Sequence, residues 1–282
     1  MKSAIYYKIK RFIQGFFTHL FLISVALTCL YPLLWVFFGS FKTQESIFNS
    51  VSIIPEKFHF ENYYFALIKG DFSRYFFNSV IYTIIVVIAV VVISSMAGYA
   101  FSRLRFFGRR AAFLIFMAAM MVPLPGSFVA LFILLNKLHL RDTPLGYILC
   151  MINVGLPISI FMLKTFFDTM PKEIEDAACI DGCSKIGIWR HMALPLARPV
   201  LAVVIIINTL NVWNEYILAL VVFDNKNFMP LQRALVVFQG EFLTNYPLLM
   251  AGLTITAMPV VIVYILMQKH IVKGVTSKAF FG

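Results

Sequence analysis

The sequence predicts an all-α integral membrane protein: one domain over 1–282, with six transmembrane helices and a helix-turn-helix knob outside the bilayer. Three observations predict it. Hydrophobic residues make up 61% of the chain and charged residues 13%, where soluble domains hold about 45–50% and about 25%. Six apolar runs are long enough to cross the hydrocarbon core, about 30 Å thick, which takes roughly 20 helical residues. A polar island from Pro171 to Pro199 then interrupts those runs with a pattern of its own.

The runs cover 12–39, 77–101, 111–136, 145–168, 199–223 and 247–268. The first follows Lys8, Lys10 and Arg11, as a secretion signal would. Its apolar part exceeds the h-region of a signal, about 7–15 residues, and no small-residue cleavage site follows, so it reads as a span. Six spans put both ends on one side. That side carries 16 of the 24 Lys and Arg residues and the other side 8, so the positive-inside rule places both termini and the knob in the cytoplasm. The turn Arg103 to Arg110 holds four of the inner cations and reads as an anchor that also meets anionic lipid head groups. The outer segment 40–76 reads as a lip with a short interfacial helix. Pro32, Pro123, Pro125, Pro157 and Pro259 fall within spans. Each kinks its helix, which serves either simple curvature or flexing during opening and closing. No internal repeat is visible, which counts against the inverted-repeat plan of many secondary transporters.

The knob follows from local rules. Pro171 suits the first turn of a helix, where its missing N–H costs nothing. Glu173, Glu175 and Asp176 complement the positive end of the helix dipole. Ile174, Ala177 and Ala178 share one small apolar face. Gly182 can take the left-handed conformation that ends a helix. Ser184 can cap a second helix through about His191, which Leu194-Pro195 then stops.

The fifth run is the polar one. Asn208, Asn211 and Glu215 stand at i, i+3 and i+7 and so share a face, with Trp213 and Asn214 beside them. A carboxylate within a span avoids lipid. Amides, a carboxylate and an indole suit the hydroxyls and ring of a sugar. Asn side chains also join helices to one another, so pathway lining and helix–helix contact both fit. Asn78 and Ser79, at the mouth of the second run, are further candidates for the same wall.

Other chemistries find no support. The net charge of +11 sits in short segments between apolar runs, the pattern of membrane topology rather than nucleic-acid binding. Cys29, Cys150, Cys179 and Cys183 form no disulfide framework and read as reduced thiols. Cys179 and Cys183 alone are too few ligands for zinc, and the five His residues show no metal spacing. No Ser/His/Asp constellation suggests an enzyme. No Gly-Lys or Gly-x-Gly occurs, so neither the phosphate loop nor the dinucleotide fingerprint is present. We therefore expect no cofactor and no metal, and any ATP-driven work must come from a partner.

The island resembles the "EAA" coupling loop of ABC-importer permeases, here over 171–195. That family's pattern is roughly Glu-Ala-Ala, three residues, Gly, nine residues, Ile-x-Leu-Pro. This chain reads Asp176-Ala177-Ala178, Gly182, then Met192-Ala193-Leu194-Pro195, with Asp for the leading Glu and Met for Ile. Trp213-Asn214-Glu215-Tyr216 resembles the signature of carbohydrate permeases of the maltose-transporter type. Pro32-Leu33-Leu34-Trp35, Ser40-Phe41-Lys42, Pro55, Glu61-Asn62-Tyr63, Asn78-Ser79, Arg103 to Arg110 and Met120-Met121-Val122-Pro123 match that type too. The resemblance implies the type I importer permease fold in a bacterial cytoplasmic membrane. It implies a second permease subunit, two ABC ATPase subunits below, and an extracellular or periplasmic sugar-binding protein. It assigns ATPase coupling to Glu175, Asp176, Ala177, Ala178, Asp181, Gly182, Met192, Leu194 and Pro195, and tail contacts with the ATPase to 269–282. It assigns the translocation pathway to Asn208, Asn211, Trp213, Asn214, Glu215 and Asn78. The alternatives are a secondary transporter or channel without an ATPase, and an ABC permease for a non-sugar solute.

Overall fold

The computed structural model describes residues 2–69, 71–120, 124–238 and 244–276. The readings placed on Met121-Val122-Pro123 and on the tail over 277–282 lie outside them. The described residues are all-α. In order, α1 is Lys2–Gly39, α2 Gln44–Asn49, α3 Glu61–Tyr64, α4 Phe72–Arg103, α5 Arg109–Ala119, α6 Leu124–Lys137 and α7 Pro144–Thr169. Then come α8 Lys172–Ile180, α9 Lys185–Ile188, α10 Leu194–Leu196, α11 Arg198–Trp213, α12 Ile217–Val222, α13 Leu231–Ala234 and α14 Tyr246–Thr276. By length and composition four described helices can cross a membrane: α1 from Phe12, α4, α7 and α14 to Ile265. A fifth is counted if the bent pair Lys185–Leu196 and Arg198–Trp213 forms one span.

Two apolar runs are therefore less simple than their hydrophobicity suggests. The run 111–136 is carried by α5 and α6, of 11 and 14 residues, each short of a full crossing. The run 199–223 ends its main helix at Trp213 and resumes at Ile217. The side chains explain the second break. Asn214 Nδ2 donates to the Leu210 carbonyl at 2.9 Å, and Glu215 Oε1 accepts the Leu218 N–H at 2.6 Å. Polar side chains that bond nearby backbone in this way compete with the helix itself.

The chain divides into two compact units. In the first, residues 1–71 with 235–255, polar and aromatic residues of the outer lip form a clasp. Asn62 Nδ2 donates to the Ser40 and Lys42 carbonyls at 2.8 and 3.0 Å. Ser40 Oγ and Tyr63 Oη share a hydrogen bond of 2.7 Å. Lys42 Nζ donates to the Ser52 carbonyl. The Phe41 ring packs among Phe58, Phe60 and Tyr63 at centroid distances of 5.1–5.4 Å. Gln44 joins this segment to the start of α14, bonding the Thr244 carbonyl and the Tyr246 N–H at 3.0 Å each.

The second unit, residues 72–234 with 256–282, packs around α4, α7 and α11. A Cβ at Gly98 of α4 would come within 3.0 Å of Leu163 Cβ and the Lys164 nitrogen, so the two long helices cross at backbone contact there. Val86, Val90, Tyr147, Ile160 and Val204, on these three helices, are buried. At one end, residues 226–231 strap across α4. Asn78 Nδ2 donates to the Asn227 and Met229 carbonyls at 2.8 and 3.0 Å, and Tyr82 Oη to the Phe228 carbonyl at 2.9 Å. Ser79 Oγ accepts the Leu231 N–H at 2.8 Å. At the opposite end of α7 the chain turns into α8 and the knob.

Candidate functional site

The knob forms as its residues dictate, with two adjustments. Pro171 is the cap of α8 in an extended conformation (φ −58°, ψ 133°), and Lys172 opens the helix. Its φ already suits a helix start, but its extended ψ belongs to the residue outside. Gly182 sits at φ +81°, the left-handed region where glycine carries no Cβ penalty. Ser184 Oγ accepts the Gly187 N–H at 3.2 Å, capping α9. The second adjustment concerns its end. The helical path does not stop at Leu194-Pro195 but widens into a π turn over Trp189–Ala193 and runs through α10 to Leu196. Pro195 lands in the first turn of that new piece, where an absent N–H is tolerated. The stop comes at Ala197, where the path bends by 79° into α11.

One side of the knob is fused to the helices. Ala178, Ile188, Ala193 and Ala197 share a core with Tyr99 of α4, Leu163 and Phe167 of α7, and Val200 and Val204 of α11. Met192 and Trp189 pack against it, half-buried. Glu175 also faces inward. Its Oε1 lies 3.1 Å from Arg103 Nε, with side-chain exposures of 11% and 7%. This is a charge contact rather than an aligned hydrogen bond. The Arg103 Nη2 donates to the Phe167 and Met170 carbonyls. One guanidinium thus ties the end of α4 to the end of α7 and to α8.

The other side is open. Asp176, Ala177, Asp181, Gly182 and Pro195 are exposed, and Leu194 is partly so. Ile180 is 87% exposed at the tip, an apolar side chain with little cover from the described residues. A Cβ built on Gly182 meets nothing within 4 Å.

The polar face of α11 divides in the same way. Asn208 is 1% exposed. Its Nδ2 donates to Ser159 Oγ of α7 at 2.9 Å and to the Val204 carbonyl at 2.8 Å. It stands so close to Gly155 that a Cβ there would lie 2.2 Å from Asn208 Oδ1. Trp213 is buried on Phe76, and its Nε1 donates to the Thr256 carbonyl at 3.1 Å. Asn78 belongs to the strap described above. These three join helices and loops. Asn211 and Asn214 remain exposed and Glu215 half-buried, all within or beside the break between α11 and α12. Among the described residues no cluster of His, Cys, Asp or Glu could hold a metal ion.

Residues 91–277 match the model of the family described as "Binding-protein-dependent transport system inner membrane component". The chain belongs to this family. It is 34% identical to the Probable ABC transporter permease protein YurM of Bacillus subtilis strain 168, over 94% of this chain and 87% of that one. It is 32% identical to the Diacetylchitobiose uptake system permease protein NgcG of Streptomyces coelicolor, over 93% and 88%. The Arabinooligosaccharides transport system permease protein AraQ of Bacillus subtilis matches at 30%, over 91% and 92%. The fold is also that of a crystal structure of a bacterial ABC transporter involved in the import of the acidic polysaccharide alginate. That match has a TM-score of 0.81 at 24% identity, covering 91% of this chain and 96% of that one.

The knob of this permease therefore sits inside the family-matching region, as does the broken α11. Arg103 is the residue that sequence reasoning missed in kind. It reads as one of four cations in a topological anchor, whereas it is the hub joining α4, α7 and α8. Its only signal in the sequence is the acidic first turn of α8, and nothing there says which cation would meet it.

Proposed function

We propose that this permease forms one half of the translocation pathway of a sugar importer, with its termini and knob in the cytoplasm. A second permease completes the pathway, two ABC ATPase subunits dock below, and an extracellular binding protein delivers the sugar. The twofold excess of Lys and Arg on the knob's side supports that orientation. The relatives named for diacetylchitobiose and arabinooligosaccharides support an oligosaccharide cargo.

The observation that carries the mechanism is the two-sided knob. Its inner side shares a core with α4, α7 and α11, and its outer side ends in bare Ile180 and Gly182. A close-packed core transmits displacement rather than absorbing it. An ATPase that grips Asp176, Ala177, Ile180, Asp181 and Gly182 would move the helix ends as one body, the usual form of such switching. Glu175 and Ala178, on the inner side, hold the lever to its helices. ATP biases the cycle only by binding one arrangement more tightly, and a swing from 1:99 to 99:1 takes about 5.5 kcal/mol.

Cargo contacts fall to Asn211, Asn214 and Glu215. Non-helical backbone at membrane depth survives only when buried in protein or facing water, and these polar side chains stand at such a break. Asn208, Trp213 and Asn78 support the wall from behind.

The test is Gly182→Trp in the complex reconstituted with its ATPase and binding protein. A Cβ at this position meets nothing within 4 Å among the described residues, and the left-handed backbone costs about 1–2 kcal/mol, so the permease should still insert and fold. Uptake and binding-protein-stimulated ATP hydrolysis should both disappear. Retained uptake with retained hydrolysis would remove the knob from the coupling path.

A further inference from the structure

Two cavities meet where α4 ends against the knob. One is an apolar groove of about 340 Å3 along the last turns of α4, walled by Met96, Ala97, Tyr99 and Ala100 and by Ile186 and Trp189 of the knob. The other is a cleft of about 810 Å3. Its walls carry five cations, Arg103, Arg105, Arg109, Lys172 and Lys185, against two carboxylates, Glu175 and Asp176. Leu104 and Lys185 line both, so the greasy groove and the basic cleft lie side by side.

The cations are not all spent within the chain. Arg103 is held by Glu175 and two carbonyls, and Arg109 Nη1 donates to the Ser102 and Leu104 carbonyls at 3.4 and 3.1 Å. Arg105 and Lys172 make no ion pair or side-chain hydrogen bond among the described residues, and Lys185 reaches only Cys179 Sγ, at 3.5 Å. Of the two carboxylates that line the cleft, Asp176 makes no ion pair among the described residues. The groove wall holds a second anomaly. Tyr99 is 4% exposed, yet its hydroxyl has no hydrogen-bond partner, and neither has the buried indole N–H of Trp189. Both are donors that usually find an acceptor when buried.

We propose that this joint binds one anionic phospholipid of the cytoplasmic leaflet, phosphatidylglycerol in headgroup chemistry, with an acyl chain in the groove and the phosphate in the cleft. An amphiphile alone satisfies both cavities at once. Its chain covers the apolar wall, and its phosphate meets Arg105, Lys172 and Lys185. Basic pockets beside membrane helices recognise lipid head groups by this charge complementarity, and Tyr and Trp favour the same interfacial depth. The leaflet rests on the orientation proposed above; the binding itself does not.

The probe is a photoactivatable phosphatidylglycerol, reconstituted with the assembled transporter and read by mass spectrometry of labelled peptides, independently of transport. Labelling should fall on the end of α4 and on α9. Arg105→Glu with Lys172→Glu should lower it by more than about tenfold, since each basic residue near a charged surface is worth about 1 kcal/mol. Ala97→Phe, which fills the groove and leaves every charge in place, should lower it comparably. A photoactivatable phosphatidylcholine should label this site far less, and inorganic phosphate should not compete. Labelling insensitive to both variants would overturn the proposal. So would competition by phosphate without an effect of Ala97→Phe, which would assign the cleft to a free anion. Cross-linking of an Ala97→Cys variant to the second permease would overturn it too, assigning the groove to protein instead.

Discussion

Arg103 shows how one side chain can decide whether an element is attached. Its guanidinium meets a buried carboxylate and two helix-end carbonyls, and without it the Glu175 carboxylate would be buried with no cation beside it. Breaking a buried ion pair from one side costs about 3–5 kcal/mol, while replacing both partners by apolar groups of similar volume is often close to neutral. Arg103→Met should therefore lower the thermal stability of the purified complex markedly, and Glu175→Met nearly as much. The double variant should recover most of the loss. Arg103→Lys should not substitute, because a single ammonium lacks the planar fork that serves several acceptors. Detergent-solubilised melting curves for the four variants check this; additive losses in the double variant would deny the coupling. The residue also marks a limit of reading. The acidic turn of α8 and the basic turn after α4 are both plain in the sequence. Their pairing is a contact between distant segments, and no local rule supplies it.

Elements were legible where local chemistry alone sets them. Gly182 and Ser184 specify turn and cap within a few residues, and α8 and α9 follow. The long helices α1, α4, α7 and α14 follow from sustained apolar length. The break in α11 did not follow, because the run 199–223 stays hydrophobic throughout. What ends the helix is Asn214 and Glu215 bonding their own neighbourhood, a competition that hydropathy does not register. Nor did hydropathy separate the two uses of Asn. The i, i+3, i+7 spacing put Asn208 and Asn211 on one face, yet Asn208 is enclosed by Ser159 and Gly155 while Asn211 is open. At this scale the prediction concerns the open set. Asn211→Ala, Asn214→Ala and Glu215→Gln should each reduce sugar uptake several-fold with normal membrane levels. Glu215→Gln keeps a carbonyl oxygen able to accept the Leu218 N–H, so its effect would report on cargo rather than on the cap. Unchanged uptake in all three would return this face to helix packing.

In the molecule as a whole, force arriving from outside must enter through a surface that the chain does not cover itself. The knob offers such a surface, and two of its exposed residues, Cys179 and Cys183, are thiols. They sit on either side of the Gly182 turn, on the side proposed to face the cytoplasm and the ATPase. Cys29 and Cys150 lie within α1 and α7, so serine replacements there isolate the knob's pair. The most direct measurement is labelling of Cys179 and Cys183 with a membrane-impermeant maleimide. Inside-out vesicles stripped of ATPase should label fully, sealed right-side-out vesicles should not, and rebinding the ATPase should protect both thiols. Labelling from the outside, or equal labelling with the ATPase in place, would contradict the account.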